Sequence, residues 1–167
     1  LVHAPPENLD HRTPVWQAME YCLEQGWVKA IGVSNYGPSH LSAMKDYAKY
    51  MPSVNQVEFN PWLQRPHLKQ ATEDAGAKVM AYSPLARGHK VDDPQLGMIA
   101  EKLGCTPAQV AIKFCYDEGC ITIPKSSNPA RIVENIQSLD VDISSQYEAI
   151  KSLECNYVSG WDPTTEP

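Results

Sequence analysis

The residues with the clearest chemical meaning form one stretch, residues 123–135, where a short apolar run leads into a helix start. Lys125 and Ser126 follow the run, and Asn128 with the proline after it is typical of the first residues of a helix. A helix amino end offers N–H groups and a partial positive charge. Arg131, in the first turn, opposes that charge unless an anion is present. The stretch predicts a phosphate site, the alternative being a solvated, charged helix start.

Other polar residues follow earlier apolar runs, at the points where strands would end. They are His3, Ser34, Asn35, Gln56, Tyr82 and Ser83. In parallel α/β folds the carboxyl ends of the strands share one rim, where barrels and doubly wound sheets bind their ligands. We therefore expect these side chains on one rim. Neither GxGxxG nor GxxxxGK[ST] is present, so the sequence supports neither a Rossmann fingerprint nor a P-loop.

The elements that must position these residues alternate between strand and helix. The apolar runs of strand length are residues 1–3, 30–33, 54–58, 78–82 and 120–123. Proline predicts helix starts, because its missing N–H would be unpaired there. The prolines in such positions are Pro14, Pro38, Pro66, Pro94, Pro107 and Pro129. The alternation predicts a parallel sheet with right-handed crossovers.

Capping residues support these helix boundaries. Thr13 is interpreted as the cap of the first helix, and Thr106 with Gln109 as a capping box. The glycines expected to end helices are Gly26, Gly76, Gly104 and Gly119. A last helix is expected from about residue 144 to 153.

Composition narrows the function classes. The chain has 167 residues, 43% of them hydrophobic and 20% charged, and a net charge of −6, which argues against disorder and against a nucleic-acid binder. No apolar run approaches the ~18 residues of a membrane span, and no signal peptide is visible. The five cysteines have no metal-ligand spacing, which predicts reduced thiols, no metal and a cytoplasmic location.

Several of these stretches, in this order, resemble the aldo-keto reductase family. The stretches are Leu1–Pro5, Lys29–Tyr36, Asn55–Pro61, Ala81–Leu85 and Ile123–Asn135. The resemblance implies an α/β fold, a partial (β/α)8 TIM barrel of about five βα units that correspond to strands four to eight of the family barrel. Residues 1–157 would form this part of the barrel, and residues 158–167 a tail that is loop or disordered.

The resemblance also implies hydride transfer between NADPH and an aldehyde or ketone, without a metal. Ser34, Asn35 and Gln56 would hold the nicotinamide carboxamide, for which amide and hydroxyl groups supply donors and acceptors. Tyr82 would stack on the nicotinamide face. From the residues alone, each could equally be a satisfied polar group at a strand end or, for Tyr82, part of the core.

The remaining cofactor contacts fall in two later segments. By resemblance, Ser83 and Leu85 would line the pyrophosphate path, and Arg87 is a weaker candidate there. The residues for the 2′-phosphate of NADP are Lys125, Ser126 and Arg131, whose charges favour NADPH over NADH. The residues for the adenine end are Glu134 and Asn135. The alternative for these two is an exposed helix face.

His3 is the catalytic residue that the resemblance implies, and it would orient and polarise the substrate carbonyl. The family usually has Trp after this His, and here the residue is Ala4, which predicts a wider pocket. The family's Asp, Tyr and Lys belong to a segment before the fourth strand and have no counterpart here. Tyr36, Tyr82 and Lys125 match other positions and are not substitutes.

Three interpretations follow from this partial match. The first is an enzyme whose N-terminal part precedes Leu1, as the missing initial Met suggests; its partners would be a small carbonyl substrate and the missing part of its own barrel. The second is a non-catalytic NADP-binding or regulatory module, like the potassium-channel β subunits. The third is a partial barrel that self-associates through the unpaired sheet edges at residues 1–3 and 120–123. We favour the first.

Overall fold

Strands and helices alternate along the chain in this computed structural model, which describes residues 1–165. The helices are α1 Leu9–Glu24, α2 Pro38–Tyr47, α3 Pro66–Asp74, α4 Pro94–Leu103, α5 Pro107–Asp117, α6 Pro129–Gln137 and α7 Tyr147–Lys151. The strands are β1 Val33–Ser34, β2 Val54–Glu58, β3 Lys78–Tyr82 and β4 Ile121–Thr122. They form a four-stranded sheet in the order β1-β2-β3-β4, with β1 parallel to β2. The predicted α/β alternation is confirmed.

Most proline-marked helix starts are correct. Pro38, Pro94, Pro107 and Pro129 occupy the first turns of α2, α4, α5 and α6, and α3 begins at Pro66. The capping box at α5 is also confirmed. Thr106 N donates to Gln109 Oε1 at 3.1 Å, and Gln109 N donates to Thr106 Oγ1 at 3.2 Å. The four predicted stop glycines all adopt positive φ, between 67° and 82°, where glycine has no steric penalty.

The predicted start of the first helix is wrong. α1 begins at Leu9, and Asn8 is its cap, accepting from His11 N at 3.1 Å. Thr13 therefore lies inside the helix, and so does Pro14. The physical reason is a side-chain contact that the Thr13–Pro14 capping pattern does not reveal. The buried Arg12 donates through Nε to Pro6 O at 2.6 Å, which fixes the chain before Leu9 and favours the earlier cap.

The runs at residues 54–58 and 78–82 match β2 and β3, whereas the other runs pair over shorter lengths than predicted. The run at residues 1–3 contributes an isolated parallel bridge between Val2 and Val33, and the run at 120–123 pairs regularly only at Ile121–Thr122. The last predicted helix is a 3-10 turn, Ser144–Gln146, followed by α7. Another 3-10 turn, Pro163–Thr165, lies within the predicted tail, whose final residues, 166–167, lie outside the described part.

The described residues divide into two compact units. The first contains residues 1–57, 66–80 and 161–165, and its core is built around Trp16, which is completely buried. Leu41 and Met44 of α2 and Val33 of β1 belong to the same cluster. The buried Glu20 of α1 accepts from Lys49 N at 2.7 Å and from Tyr50 N at 2.9 Å, so its carboxylate is satisfied.

The second unit contains residues 58–65 and 81–160. Phe59 and Phe114 stack at 6.4 Å between ring centroids, and Tyr147 packs on Phe114 at 5.8 Å. Burial raises the pKa of the Cys115 thiol well above its usual value, so this cysteine is a core residue rather than a nucleophile. Within residues 1–165, no helix is long and apolar enough to cross a membrane.

Candidate functional site

A cluster of polar groups in the first unit surrounds the end of β1. Ser34 Oγ donates to the carbonyl oxygen of Gln56 at 2.7 Å, and Asn35 N donates to the same oxygen at 2.9 Å. Asn35 has φ 61°, a left-handed conformation that asparagine tolerates better than most residues. Its Nδ2 donates to the carbonyl oxygen of His3 at 3.0 Å. The cluster therefore brings His3, Ser34, Asn35 and Gln56 together, as their places at strand ends predict.

Within residues 1–165, His3 and Gln56 are the members of this cluster whose side chains are least engaged in hydrogen bonds. The imidazole of His3 is exposed. Gln56 Nε2 donates to Met80 Sδ at 3.2 Å, and a thioether is a weak acceptor. The Gln56 amide therefore has most of its hydrogen-bonding capacity left, which suits a residue that must hold a polar group.

Asn55 fixes the backbone at Tyr36, just after the cluster, and it is not among the functional residues predicted from the sequence. Its Nδ2 donates to Tyr36 O at 2.8 Å and to Thr72 Oγ1 at 3.2 Å, and its Oδ1 accepts from Tyr36 N at 3.3 Å. Asn55 is completely buried. Burial also raises the pKa of Tyr36, so this phenol is neutral at physiological pH. The sequence signal that could have identified Asn55 is an Asn among the β-branched residues of a strand. A buried amide without hydrogen bonds is costly, so such an Asn must have specific partners.

We expect Asn55→Ala to lower the free energy of unfolding by about 2–4 kcal/mol, because the buried N–H and C=O of Tyr36 and the Thr72 hydroxyl lose their partner. Urea denaturation followed by circular dichroism measures this change. Gln17→Ala, which removes an exposed amide from α1, is the matched control and should change stability by less than about 0.5 kcal/mol. Equal effects of the two substitutions would contradict the bridging role of Asn55.

The second unit contains a cleft of about 590 Å³. The cleft is lined by two segments that the sequence analysis predicts to bind the cofactor. The turn after β3 provides Ser83, Leu85 and Arg87, and the segment from β4 into α6 provides Lys125, Ser126, Arg131, Glu134 and Asn135. Tyr82 is half-buried and does not line this cleft. The predicted residues for the pyrophosphate, the 2′-phosphate and the adenine therefore lie around one cavity.

The turn after β3 has an unusual backbone. Ser83, Ala86 and Arg87 all adopt positive φ, at 48°, 46° and 55°. Such conformations cost residues other than glycine on the order of 1 kcal/mol each, and they concentrate at functional sites. The buried Asn60 supports the turn, because its Nδ2 donates to Ser83 O at 3.3 Å. The strain is consistent with a turn shaped to face a ligand.

The amino end of α6 is capped within the chain. Asn128 Oδ1 accepts from Ala130 N at 2.9 Å and from Arg131 N at 3.4 Å, and Ser126 Oγ accepts from Asn128 N at 3.1 Å. The cap uses N–H groups that we expected to face an anion. A ligand at this helix start would therefore meet the side chains of Lys125 and Arg131 more than free backbone.

The charges of the cleft contrast with those of the whole chain. Arg87, Lys125 and Arg131 line it with one carboxylate, Glu134, whereas the chain has a net charge of −6. Within residues 1–165, neither Lys125 nor Arg131 has an ion-pair partner. The Arg87 guanidinium lies against Gly160, where a Cβ would come within 2.7 Å of Cζ. The cleft thus offers unneutralised positive charge to an anionic ligand.

Comparisons with known proteins show which family the chain belongs to. The Aldo/keto reductase family matches residues 1–154. An uncharacterised oxidoreductase of Schizosaccharomyces pombe is 38% identical over 100% of this chain and 60% of its own length. Aldose reductase B of Dictyostelium discoideum is 43% identical over 84% of this chain and 46% of its own length. The crystal structure of a Bombyx mori aldo-keto reductase in complex with NADP has a TM-score of 0.83 and 30% identity, covering 94% of this chain and 57% of that one.

The chain thus spans 46% to 60% of the length of these two curated relatives. The structural similarity extends over nearly all of the described α/β fold, with its parallel sheet and surrounding helices. Because the family match extends over residues 1–154, the chain belongs to the aldo/keto reductase family.

Proposed function

We propose that the protein reduces small aldehydes or ketones with NADPH and that this chain carries most of the cofactor site. One observation carries the proposal: three cations line a single cleft of about 590 Å³ on a chain whose net charge is −6. A dinucleotide with a third phosphate is the anionic ligand that such a cleft fits. The silkworm relative in complex with NADP supports this choice of cofactor.

The residues of the cleft fit the phosphate and adenine end of NADPH. Lys125, Ser126 and Arg131 would hold the 2′-phosphate, because Arg binds phosphate oxygens in a bidentate manner and Lys adds a point charge. Glu134 and Asn135 would hold the adenine, since they offer acceptors and a donor at the same cleft. Ser83 and Leu85 would line the pyrophosphate path, with Arg87 beside them.

For the nicotinamide, the family resemblance implies the residues of the strand-end cluster. Gln56, with Ser34 and Asn35, would hold the nicotinamide carboxamide, and Tyr82 would stack on the ring. NADPH, when bound, supplies the hydride. His3 would donate a hydrogen bond to the substrate carbonyl, which stabilises the negative charge that develops on oxygen. Its exposed imidazole is free to meet a substrate.

The proton donor has no counterpart among the 167 residues. We place the Asp, Tyr and Lys implied by the family in the part of the relatives' length that this chain does not span. That part of the barrel and a small carbonyl compound are then the partners of the chain, and the five free thiols suit a cytoplasmic location. Relatives named as reductases favour this enzyme over a non-catalytic module of the same fold.

We expect 2′,5′-ADP, which carries the adenine and the 2′-phosphate, to bind at least about tenfold more tightly than 5′-AMP, since the extra phosphate gains charge-assisted hydrogen bonds. Isothermal titration of the intact protein measures both affinities. NADPH oxidation with methylglyoxal, followed by absorbance, tests the hydride transfer separately. Equal affinity for the two nucleotides would contradict the 2′-phosphate site. Nucleotide binding without oxidation of NADPH by any aldehyde would instead favour the non-catalytic module.

A further inference from the structure

A hydroxyl from a neighbouring helix holds the one carboxylate of the cleft. Thr106 Oγ1, at the cap of α5, lies 2.5 Å from Glu134 Oε1. Gln109 Nε2 donates to the Glu134 carbonyl oxygen at 3.4 Å, so the cap residue of α5 and a residue of its first turn contact the same residue of α6. Both Thr106 and Glu134 line the cleft. The contact therefore joins a helix cap to a residue that faces the ligand.

The direction of each hydrogen bond follows from the available protons. A threonine hydroxyl has one proton to donate and two lone pairs. Because the N–H of Gln109 donates to Thr106 Oγ1 at 3.2 Å, the hydroxyl is an acceptor in that bond. Its single proton is then free to go to Glu134, whose carboxylate only accepts. Thr106 thus caps α5 and at the same time fixes one oxygen of Glu134.

This arrangement determines what the second oxygen can do. Within residues 1–165, Glu134 Oε2 has no hydrogen-bond donor, and Glu134 lies half-buried at the cleft. A carboxylate oxygen held in place attracts an N–H of a ligand and repels a carbonyl oxygen. At position C6, adenine presents the N–H groups of its amino group, whereas a purine with a carbonyl at C6 presents an oxygen there.

We propose that Thr106 is a positioning residue that orients Glu134 so that the cleft selects adenine over a purine with a carbonyl at C6. The inference rests on the proposed function, because the adenine of NADPH is the ligand expected at Glu134. The proposal adds Thr106 to the residues predicted to bind the cofactor. It attributes the selection of adenine to the Thr106 hydroxyl that orients Glu134, and not to the carboxylate alone.

The test compares the affinities of the intact protein for NADPH and for its hypoxanthine analogue, by fluorescence titration. The unsubstituted protein should prefer NADPH by about tenfold or more, as a hydrogen bond to a charged group implies. Thr106→Val, which has the same shape but no hydroxyl, should reduce this preference to within about threefold, mainly through weaker NADPH binding. Thr106→Ser keeps the hydroxyl and should keep the preference.

Gln109→Ala is the matched control. It removes the side chain that completes the capping box and that donates to the Glu134 backbone carbonyl oxygen, but it leaves the Thr106–Glu134 contact, so the preference for adenine should remain. A loss of preference in Gln109→Ala equal to that in Thr106→Val would overturn the proposal in favour of a general effect of the cap. Equal weakening of both nucleotides by Thr106→Val would overturn it too, because a merely structural role predicts an unchanged ratio.

A second variant decides the matter if Thr106→Val does not fold. In Glu134→Gln the Thr106 hydroxyl would donate to the amide oxygen and leave the NH2 group towards the ligand. The preference should then shift towards hypoxanthine, whose C6 carbonyl accepts. A variant that still prefers adenine would refute the orientation proposed for Glu134. Failure of the unsubstituted protein to bind NADPH would remove the proposed function as well, whereas normal NADPH binding with an unaffected ratio would remove this inference alone.

Discussion

Arg131→Ala should weaken NADPH binding by about tenfold or more, because the substitution would remove the bidentate, charge-assisted contact that we propose with the 2′-phosphate. NADH lacks that phosphate, so its affinity should change by less than about twofold. Calorimetric titration of both cofactors at one fixed buffer composition measures the two changes. Arg131→Lys keeps the positive charge but loses the planar guanidinium group, so its affinity for NADPH should lie between those of the unsubstituted protein and Arg131→Ala.

Two controls make this result specific. Lys102→Ala removes an exposed cation from the last turn of α4, outside the cleft, and should leave both affinities unchanged. Arg131 also opposes the dipole of α6, so Arg131→Ala should not lower the stability of the ligand-free protein. An equal loss of NADPH and NADH affinity would contradict the assignment of the 2′-phosphate to this residue.

Trp16→Ala should lower the free energy of unfolding by about 3–5 kcal/mol, the usual cost of removing a large aromatic side chain from a core. Trp16 is completely buried, and its Nε1 donates to Tyr50 O at 3.0 Å. The cavity would open beside Leu41 and Met44, which anchor α2 in the same cluster. Guanidinium denaturation followed by circular dichroism measures the loss.

The chain offers a control of the same residue type. Trp27 is 69% exposed and contacts Tyr21 edge to face at 5.6 Å, so Trp27→Ala should cost less than about 1 kcal/mol. Trp16→Phe keeps most of the buried aromatic ring, so its loss of unfolding free energy should lie between those of Trp27→Ala and Trp16→Ala. A Trp27→Ala variant as unstable as Trp16→Ala would show that the first unit is not organised around the Trp16 cluster.

The start of a helix could be predicted where two adjacent residues determine both the backbone angle and the cap. Pro94 and Pro129 follow Asp93 and Asn128, and each pair sets both the φ angle and the cap of its helix. Thr13 and Pro14 form the same local pattern and yet lie inside α1. The difference is a contact that the pattern does not contain, since the buried Arg12 guanidinium holds the carbonyl groups before Leu9.

The same distinction separates the predictable part of the site from the rest. Lys125, Ser126 and Arg131 lie within one short segment, so a strand and a helix start were enough to place them near each other. The contact between Thr106 and Glu134 joins residues 28 positions apart, and that between Asn55 and Thr72 joins residues 17 apart. Such contacts depend on how helices pack, which the spacing of residues along the chain does not determine.

The uneven charge of the molecule also affects how fast a ligand arrives. A net charge of −6 disfavours the approach of a polyanion such as the proposed cofactor to the molecule as a whole. Within residues 1–165, Arg87, Lys125 and Arg131 place three positive charges around one cleft. Productive encounters are therefore concentrated there, and the association rate constant should decrease as ionic strength rises, since mobile ions screen attraction over distances of about 10 Å.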